Sequence, residues 1–196
     1  MRKKVLTLVV IGICSFGLIG CGKRKDINVE PSTFTTGVSQ SVLQSEIVKF
    51  VGEDLSRLNV KRQQAVEIYN EYFASDTKEA DSTDWVKKLT DEALPKYDEY
   101  INDLKALKYE NKEVNDLRDK YVKSAELQRD AINQIVTSIT KNDDSYVEKA
   151  KKDIEDSKVA LKEYEDELKA LCQQNQITIN GNFQMDNFKA SPSDAK

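Results

Sequence analysis

The chain contains no histidine among its 196 residues. This absence excludes Ser-His and Cys-His nucleophile pairs, histidine-containing zinc sites and the Glu-x-x-His pairs of di-iron bundles. Chemistry by carboxylates alone would need two converging acids with displaced pKa values, and no motif in the sequence indicates such a pair. We therefore predict that the protein is not an enzyme and that it holds neither a metal ion nor another cofactor.

Cysteine is also scarce, with three in the whole chain. Cys14 lies in an apolar N-terminal run and Cys21 lies at its end, so Cys172 is the only thiol expected in the folded domain and no intramolecular disulfide can form there. Cys172 falls where the apolar stripe of the last predicted helix ends. We expect a buried, unreactive thiol, and the alternative is an intermolecular disulfide.

Glycine and proline number only 7 and 3, and one third of the residues are charged. Such a composition favours long helices. Without residues 1–20 the chain has 27 basic and 34 acidic residues, a net charge of −7. This acidic balance argues against nucleic acid as a partner.

The N-terminus has the three parts of a signal peptide. Basic residues follow Met1, an uncharged run of 18 residues extends from Val5 to Gly22, and a small residue, Gly20, precedes Cys21. The alternative is an uncleaved membrane helix, because 18 residues is near the lower limit for a span. The glycines in the run and the polar sequence after it favour the signal peptide.

The residues Leu18-Ile19-Gly20-Cys21 resemble the lipobox of bacterial lipoproteins. The resemblance implies that a diacylglyceryl group is attached to the Cys21 thiol and that the lipoprotein signal peptidase cleaves between Gly20 and Cys21. The mature protein would then be held by its lipid on the extracytoplasmic face of the cell membrane. The two acyl chains of one such group suffice for stable anchoring.

Residues 21–40 are predicted to be a lipidated, flexible tether, since they contain Pro31, a cluster of serines and threonines, and Gly37. Three basic residues, 23–25, follow the cysteine directly. They either strengthen binding to an anionic leaflet or belong to an ordinary solvated linker.

Four amphipathic stretches follow the tether, with apolar residues three and four positions apart. They predict an all-α antiparallel four-helix bundle with coiled-coil-like packing. The bundle domain spans 41–183, before a disordered tail, 184–196, and its helices are placed at about 41–74, 84–108, 112–140 and 145–173. The boundary near Asn111 is the weakest, because one continuous helix is the alternative there.

Two polar residues interrupt the apolar register. Because a buried unpaired arginine is costly, we expect Arg62 to reach the surface, to pair with a carboxylate or to mark a bend, and the functional alternative is an arginine that contacts a bound anion. Gln128 either specifies the register of the bundle, as polar residues do in coiled coils, or lies at a wet edge. On the outer face of the last helix, Glu148 and Lys152 are expected to pair.

Gly52 and Pro95 fall inside predicted helices. Close packing would explain the glycine as well as any function. The apolar pattern continues through Pro95, so we predict a kink rather than a helix end. That kink either bends the outer face or opens a groove for a ligand. Six tyrosines on or beside the stripes are expected in the core rather than in a ligand cage: Tyr69, Tyr72, Tyr97, Tyr100, Tyr121 and Tyr164.

Residues 177–179 alternate like a short strand, but the sequence offers no evident second strand, so we expect an extended segment on the bundle. The overall plan resembles helical lipoproteins of Gram-positive bacteria, including those described as cell-wall-binding. This resemblance is specific over residues 1–21 and only a matter of pattern over 41–175. The anchor, the missing histidine and the absence of a catalytic motif predict a non-catalytic binding or scaffold module with a cell-wall or envelope-protein partner. The alternative is a binder of a small ligand or peptide with a groove near Pro95.

Overall fold

The structure is a computed structural model that describes residues 28–31, 41–74 and 82–180. The predicted signal peptide, with Gly20 and the lipidation site Cys21, lies outside these described residues, as do most of the predicted tether and the predicted tail.

Four long helices form the predicted all-α bundle, which is confirmed. Helix α1 consists of Val42–Val48, a π-helical segment Lys49–Asp54 and Leu55–Ala74; helix α2 consists of Ser82–Lys88, a π-helical segment Leu89–Ala93 and Leu94–Ala106; helix α3 is Lys112–Lys141 and helix α4 is Ser145–Gln174. These bounds lie within two residues of the predicted ones. None of the described helices is long and apolar enough to cross a bilayer.

Side-chain caps define several helix ends. At the start of α1, Ser41 and Gln44 form a capping box in which each side chain accepts a hydrogen bond from the other residue's backbone. Such a box satisfies amide groups that have no partner inside the helix. At the turn between α3 and α4, Asn142 adopts the left-handed conformation with a φ of 50°, which asparagine tolerates better than most residues. The Asp143 carboxylate accepts from the Ser145 amide.

Helices α2 and α3 are separate, and the turn between them is held by Glu46 of α1. The Glu46 carboxylate accepts hydrogen bonds from the backbone amides of Glu110, at 2.6 Å, and Asn111, at 3.0 Å. Burial acts to raise the pKa of Glu46, but these bonds and one from the Asn111 side chain outweigh it and leave the pKa below its ordinary value. The uncertain boundary of the sequence is therefore a tight turn bound to the first helix.

The core is a continuous apolar cluster along the bundle axis, and the six tyrosines belong to it or border on it as predicted. The largest side chains with almost no exposed surface are Tyr69, Tyr97, Tyr100, Tyr164, Phe50, Ile47, Leu58, Leu89, Leu104, Leu117 and Leu168. Several aromatic pairs meet edge to face, a favourable geometry for ring quadrupoles. One of them, Tyr72 with Trp85 at 5.5 Å, joins the end of α1 to the start of α2.

The expectation of close packing at Gly52 is wrong. Gly52 lies in the π-helical segment of α1, and a Cβ atom built on it has no heavy atom within 4 Å. Phe50 of the same segment packs edge to face against Tyr109 and Tyr164. The wider turn therefore contributes Phe50 to the core while Gly52 faces open space.

Pro95 continues α2, as predicted, directly after the second π-helical segment. Proline lacks an N–H and its ring clashes with the carbonyl four residues earlier. In the segment Leu89–Ala93 the hydrogen bonds reach five residues back, as from the Leu94 amide to the Leu89 carbonyl. The Thr90 hydroxyl donates to the carbonyl of Val86 at 2.9 Å. The Pro95 side chain itself is exposed.

The expectation that residues 177–179 have no strand partner is also wrong. Strand β1, Asn28–Pro31, pairs antiparallel with strand β2, Ile177–Asn180, with Val29 opposite Ile179. The sequence concealed this pair because β1 is only four residues long and lies within the segment that was predicted to be a flexible tether. Part of that segment is consequently fixed to the bundle.

Candidate functional site

A network of polar side chains crosses the middle of the bundle and contains both residues that interrupt the apolar register. Its centre is Arg62 of α1, which is 6% exposed. The Arg62 Nε donates to the Tyr97 hydroxyl at 3.3 Å and to the Gln128 Oε1 at 3.2 Å, and the Nη2 donates to the same Gln128 oxygen at 3.1 Å. Of the alternatives considered for Arg62, the one in which its side chain reaches the surface is therefore wrong.

Gln128 connects the remaining helices. Its Oε1 also accepts from the Tyr97 hydroxyl of α2 at 2.5 Å, and its Nε2 donates to the Ser157 Oγ of α4 at 2.9 Å. One amide group on α3 thus has hydrogen-bonded partners on all three other helices. Gln128 itself is partly exposed, so it joins the helices from the edge of the core and fits both alternatives.

Two serines complete the network, and neither was singled out from the sequence. The Ser124 Oγ donates to the Ser157 carbonyl at 3.0 Å and lies 3.0 Å from the Ser157 Oγ. Both side chains are almost fully buried, at 2% and 1% exposed. The spacing of α4 indicates that Ser157 faces the core, because it lies three residues after Ile154 and four before Leu161, in the apolar register.

The surroundings of Arg62 favour its charged form. Burial acts to lower the pKa of the guanidinium, but Tyr97, Tyr121 and Tyr100 outweigh it and raise the pKa. Burial in turn raises the pKa of Tyr97, and raises that of Tyr100 strongly. The Tyr100 hydroxyl donates to that of Tyr121 at 3.1 Å. At neutral pH the network therefore contains one buried cation among neutral phenol, amide and hydroxyl groups, which is an arrangement suited to holding helices in place.

A family model for EMYY-motif containing lipoproteins matches residues 1–176 of the chain. The chain belongs to this family of lipoproteins. Membrane anchoring by a lipid follows from that membership. The sequence contains no consecutive Glu-Met-Tyr-Tyr, so membership rests on the match as a whole. No curated protein and no solved structure is similar enough to the lipoprotein to match it.

The groove considered near Pro95 finds little support in the structure of this lipoprotein. Tyr97 and Tyr100, the nearest tyrosines on α2, are 0% and 1% exposed and pack edge to face at 5.7 Å. The Pro95 side chain lies on the outside of the bundle. The aromatic rings that would line a groove are thus part of the core.

A second buried polar contact lies nearer to the start of α1. The Asp54 carboxylate accepts from the Tyr109 hydroxyl at 2.7 Å and pairs with Arg57 at 3.3 Å. Burial, followed by the bond to Asp54, raises the pKa of Tyr109. The contact joins the π-helical segment of α1 to the turn between α2 and α3. Sequence patterns gave no sign of it, because Tyr109 lies between two predicted helices.

Cys172 is buried at 4% exposed, as predicted. Burial raises the pKa of its thiol to about 11, so the thiolate is rare near neutral pH and the group is a poor nucleophile. In the described part of the chain, no group of three or more His, Cys, Asp or Glu residues is arranged to hold a metal ion.

Proposed function

We propose that this lipoprotein is a non-catalytic binding or scaffold module on the extracytoplasmic face of the cell membrane, attached through the lipid on Cys21. Membership of the lipoprotein family and the lipobox-like residues 18–21 support the attachment. The proposed partner is a component of the cell wall or an envelope protein. We place this partner on the outside of the bundle.

The observation that carries the proposal is that the polar groups of the network around Arg62 bond to one another across the bundle interior. Arg62, Tyr97, Ser124 and Ser157 are at most 6% exposed, and their hydrogen bonds run between helices. Such a network orders the helices and offers no open face to a substrate. A partner is therefore expected to contact the outer surface.

That surface is dominated by charges of both signs in short-range pairs, such as Lys152 with Asp156 on α4 and Lys61 with Glu99 between α1 and α2. Exposed pairs of this kind contribute little to stability. Large apolar side chains are exposed singly, including Val60 at 44% and Val159 at 60%. We accordingly propose a mainly polar contact with the partner.

The attachment is tested by replacing the acceptor thiol. Cys21→Ser should abolish acyl labelling and leave the signal region attached, because serine offers no thiol for the thioether. Cys14→Ser is the matched control within the same N-terminal segment and should label like the wild type. Equal labelling of Cys21→Ser and the wild type would refute attachment at Cys21.

The partner contact is tested with a photocrosslinking amino acid at one exposed position on each helix: Val60, Asn102, Lys123 or Val159. In intact cells we expect adducts with an envelope component from one or two adjacent positions, since a binding face covers only part of the bundle. The same positions in the Cys21→Ser chain are the control. A lack of adducts at all four positions would count against a scaffold. Native mass spectrometry that finds a small molecule bound to the purified ectodomain would favour a ligand binder instead.

A further inference from the structure

The strand pair connects the N-terminal segment of the protein to the bundle at a defined point. Strand β1 begins at Asn28, seven residue steps after Cys21. It pairs over its whole length with β2, from Asn28 opposite Asn180 to Pro31 opposite Ile177. The backbone of β1 also runs close to the first two segments of α1.

Strand β2 is itself firmly attached to the bundle. Ile177 is 7% exposed and belongs to the core cluster. The two residues between α4 and β2 hold the chain in place, because the Gln44 side chain of α1 donates to the Asn175 carbonyl at 2.6 Å. Any residue paired with β2 is thereby held at the end of the bundle where α1 begins and α4 ends.

The strand end of the bundle is the end that contains β1, β2 and the turn of residues 107–111, and the turn end is the opposite end, with residues 141–145. Helix α3 runs from one to the other with 30 residues, which corresponds to about 45 Å at 1.5 Å per residue. The two ends are therefore well separated.

The strand pair changes how far a lipid on Cys21 can lie from the bundle. Seven residue steps, from Cys21 to Asn28, span at most about 25 Å. Twenty-one steps, from Cys21 to the first residue of α1, Val42, span at most about 75 Å. For a flexible chain the average end-to-end distance is about 14 Å over seven steps and about 25 Å over twenty-one steps. Pairing of β1 with β2 thus shortens the maximum distance between Cys21 and the bundle by two thirds.

We propose that the β1–β2 pair is a strap that restricts the tether to residues 22–27 and keeps the strand end next to the lipid surface. The turn end then projects away from the membrane and is the part of the bundle that a partner meets first. This inference rests on the proposed attachment at Cys21. It adds a defined orientation and a defined distance to that attachment.

The strap is tested with the full-length lipidated chain in supported phosphatidylcholine bilayers, where neutron reflectometry measures the gap between the headgroups and the protein layer. In the opened variant, Val29→Pro with Glu30→Pro, at least one ladder N–H is lost, because alternate residues of an antiparallel strand bond to the partner. In the locked variant, Val29→Cys with Ile179→Cys in a Cys172→Ala chain, a disulfide joins opposite residues, whose Cα separation suits such a bond. Val38→Pro, which lies in sequence between β1 and α1, is the matched proline control.

We expect the gap to be the same in the wild type, the locked variant and the Val38→Pro control, and to be nearly twice as wide in the opened variant. Circular dichroism should show equal helix content in all four, since the strands lie outside the helices. An opened variant with the wild-type gap, or a locked variant with a narrower gap than the wild type, would overturn the strap. Acyl labelling of Cys21→Ser equal to that of the wild type would instead refute the attachment on which it rests.

Discussion

At the scale of single residues, Arg62 illustrates how a charge is kept inside a helical bundle. Removing an ionised side chain from water is costly, and the cost here is offset by hydrogen bonds to Tyr97 and Gln128. Hydrogen bonds that involve an ionised donor contribute more than neutral ones. The Gln128 side-chain oxygen accepts from both Arg62 and Tyr97. Gln128 is consequently the residue on which the network depends most.

This dependence predicts an asymmetric result from mutation. Gln128→Leu should lower the free energy of unfolding by about 3 kcal/mol, because it removes the acceptor of two bonds from a buried cation. Arg62→Met should cost less, since it removes the charge together with its bonds. Adding Gln128→Leu to Arg62→Met should then have little further effect, which corresponds to a coupling of about 3 kcal/mol. Urea unfolding of the four proteins measures this, and additive losses would contradict it.

Gln176 offers a second prediction, based on backbone conformation. It has a φ of 55°, in the left-handed region, which costs a residue with a Cβ about 1 kcal/mol or more and costs glycine nothing. Gln176→Gly should therefore raise the free energy of unfolding by about 1 kcal/mol. Asn142, with a φ of 50°, is the control, because asparagine already tolerates this region and Asn142→Gly should gain less. Thermal unfolding distinguishes the two, and a loss of stability at 176 would refute the explanation.

Sequence patterns identified Arg62 and Gln128 as unusual but could not show that they contact each other. Their contact depends on the rotation and axial shift of α1 relative to α3, which only the packed bundle determines. Surface pairs were predicted less well. Glu148 was expected to pair with Lys152, yet Glu148 pairs with Lys151 and Lys152 with Asp156. Exposed pairs differ little in energy, so spacing alone does not select among them.

At the scale of secondary structure, helix bounds followed from the sequence because capping residues and apolar periodicity act locally. Ser41 and the turn at Asn142 are examples. The π-helical segments did not follow. Within Lys49–Asp54 and Leu89–Ala93 the apolar spacing resembles that of an ordinary helix, and the choice of a wider turn depends on how Phe50 and Leu89 fit the core. π-Helical turns often lie at functional positions, and here they place aromatic and aliphatic side chains inside the bundle.

Gly52 tests whether its segment needs glycine. Because a Cβ on Gly52 would meet open space and alanine is favoured over glycine in helices by about 1 kcal/mol, Gly52→Ala should raise the free energy of unfolding by up to about 1 kcal/mol. Differential scanning calorimetry should show a higher Tm with an unchanged circular dichroism spectrum. A lower Tm would mean that the π-helical turn requires the freedom of glycine.

At the scale of the whole molecule, stability should depend steeply on pH in alkali. Three fully buried tyrosines, Tyr97, Tyr100 and Tyr164, have raised pKa values because of burial. Their contribution is fully present below pH 10, where unfolded tyrosines are protonated, and is lost as the pH rises further, because the unfolded state then releases protons that the folded state keeps. Without histidine, no side chain with an ordinary pKa titrates between pH 6 and 8.

We therefore expect the free energy of unfolding to be flat from pH 6 to 9 and to fall above pH 10 by roughly 4 kcal/mol per pH unit, at about 1.4 for each buried tyrosine. Urea titrations across this range measure the slope. Tyr100→Phe should reduce it by about a third. The matched control is Tyr146→Phe, because a hydrogen bond from Lys141 lowers the pKa of Tyr146 and its loss cannot flatten the alkaline limb. Equal slopes in both variants would contradict this explanation.

The strand pair also determines the order in which the parts of the molecule can fold. Helices α3 and α4 are neighbours in sequence and share an extensive interface, so they can associate through contacts that are local in the chain. Strand β1 must wait for residue 180, about 150 positions later, before it finds its partner. The lipid-bearing end of the chain is synthesised first, but its strand is the last to pair. In a nascent or truncated protein that lacks β2, the lipid is therefore joined to the bundle by a longer unpaired segment than in the complete protein.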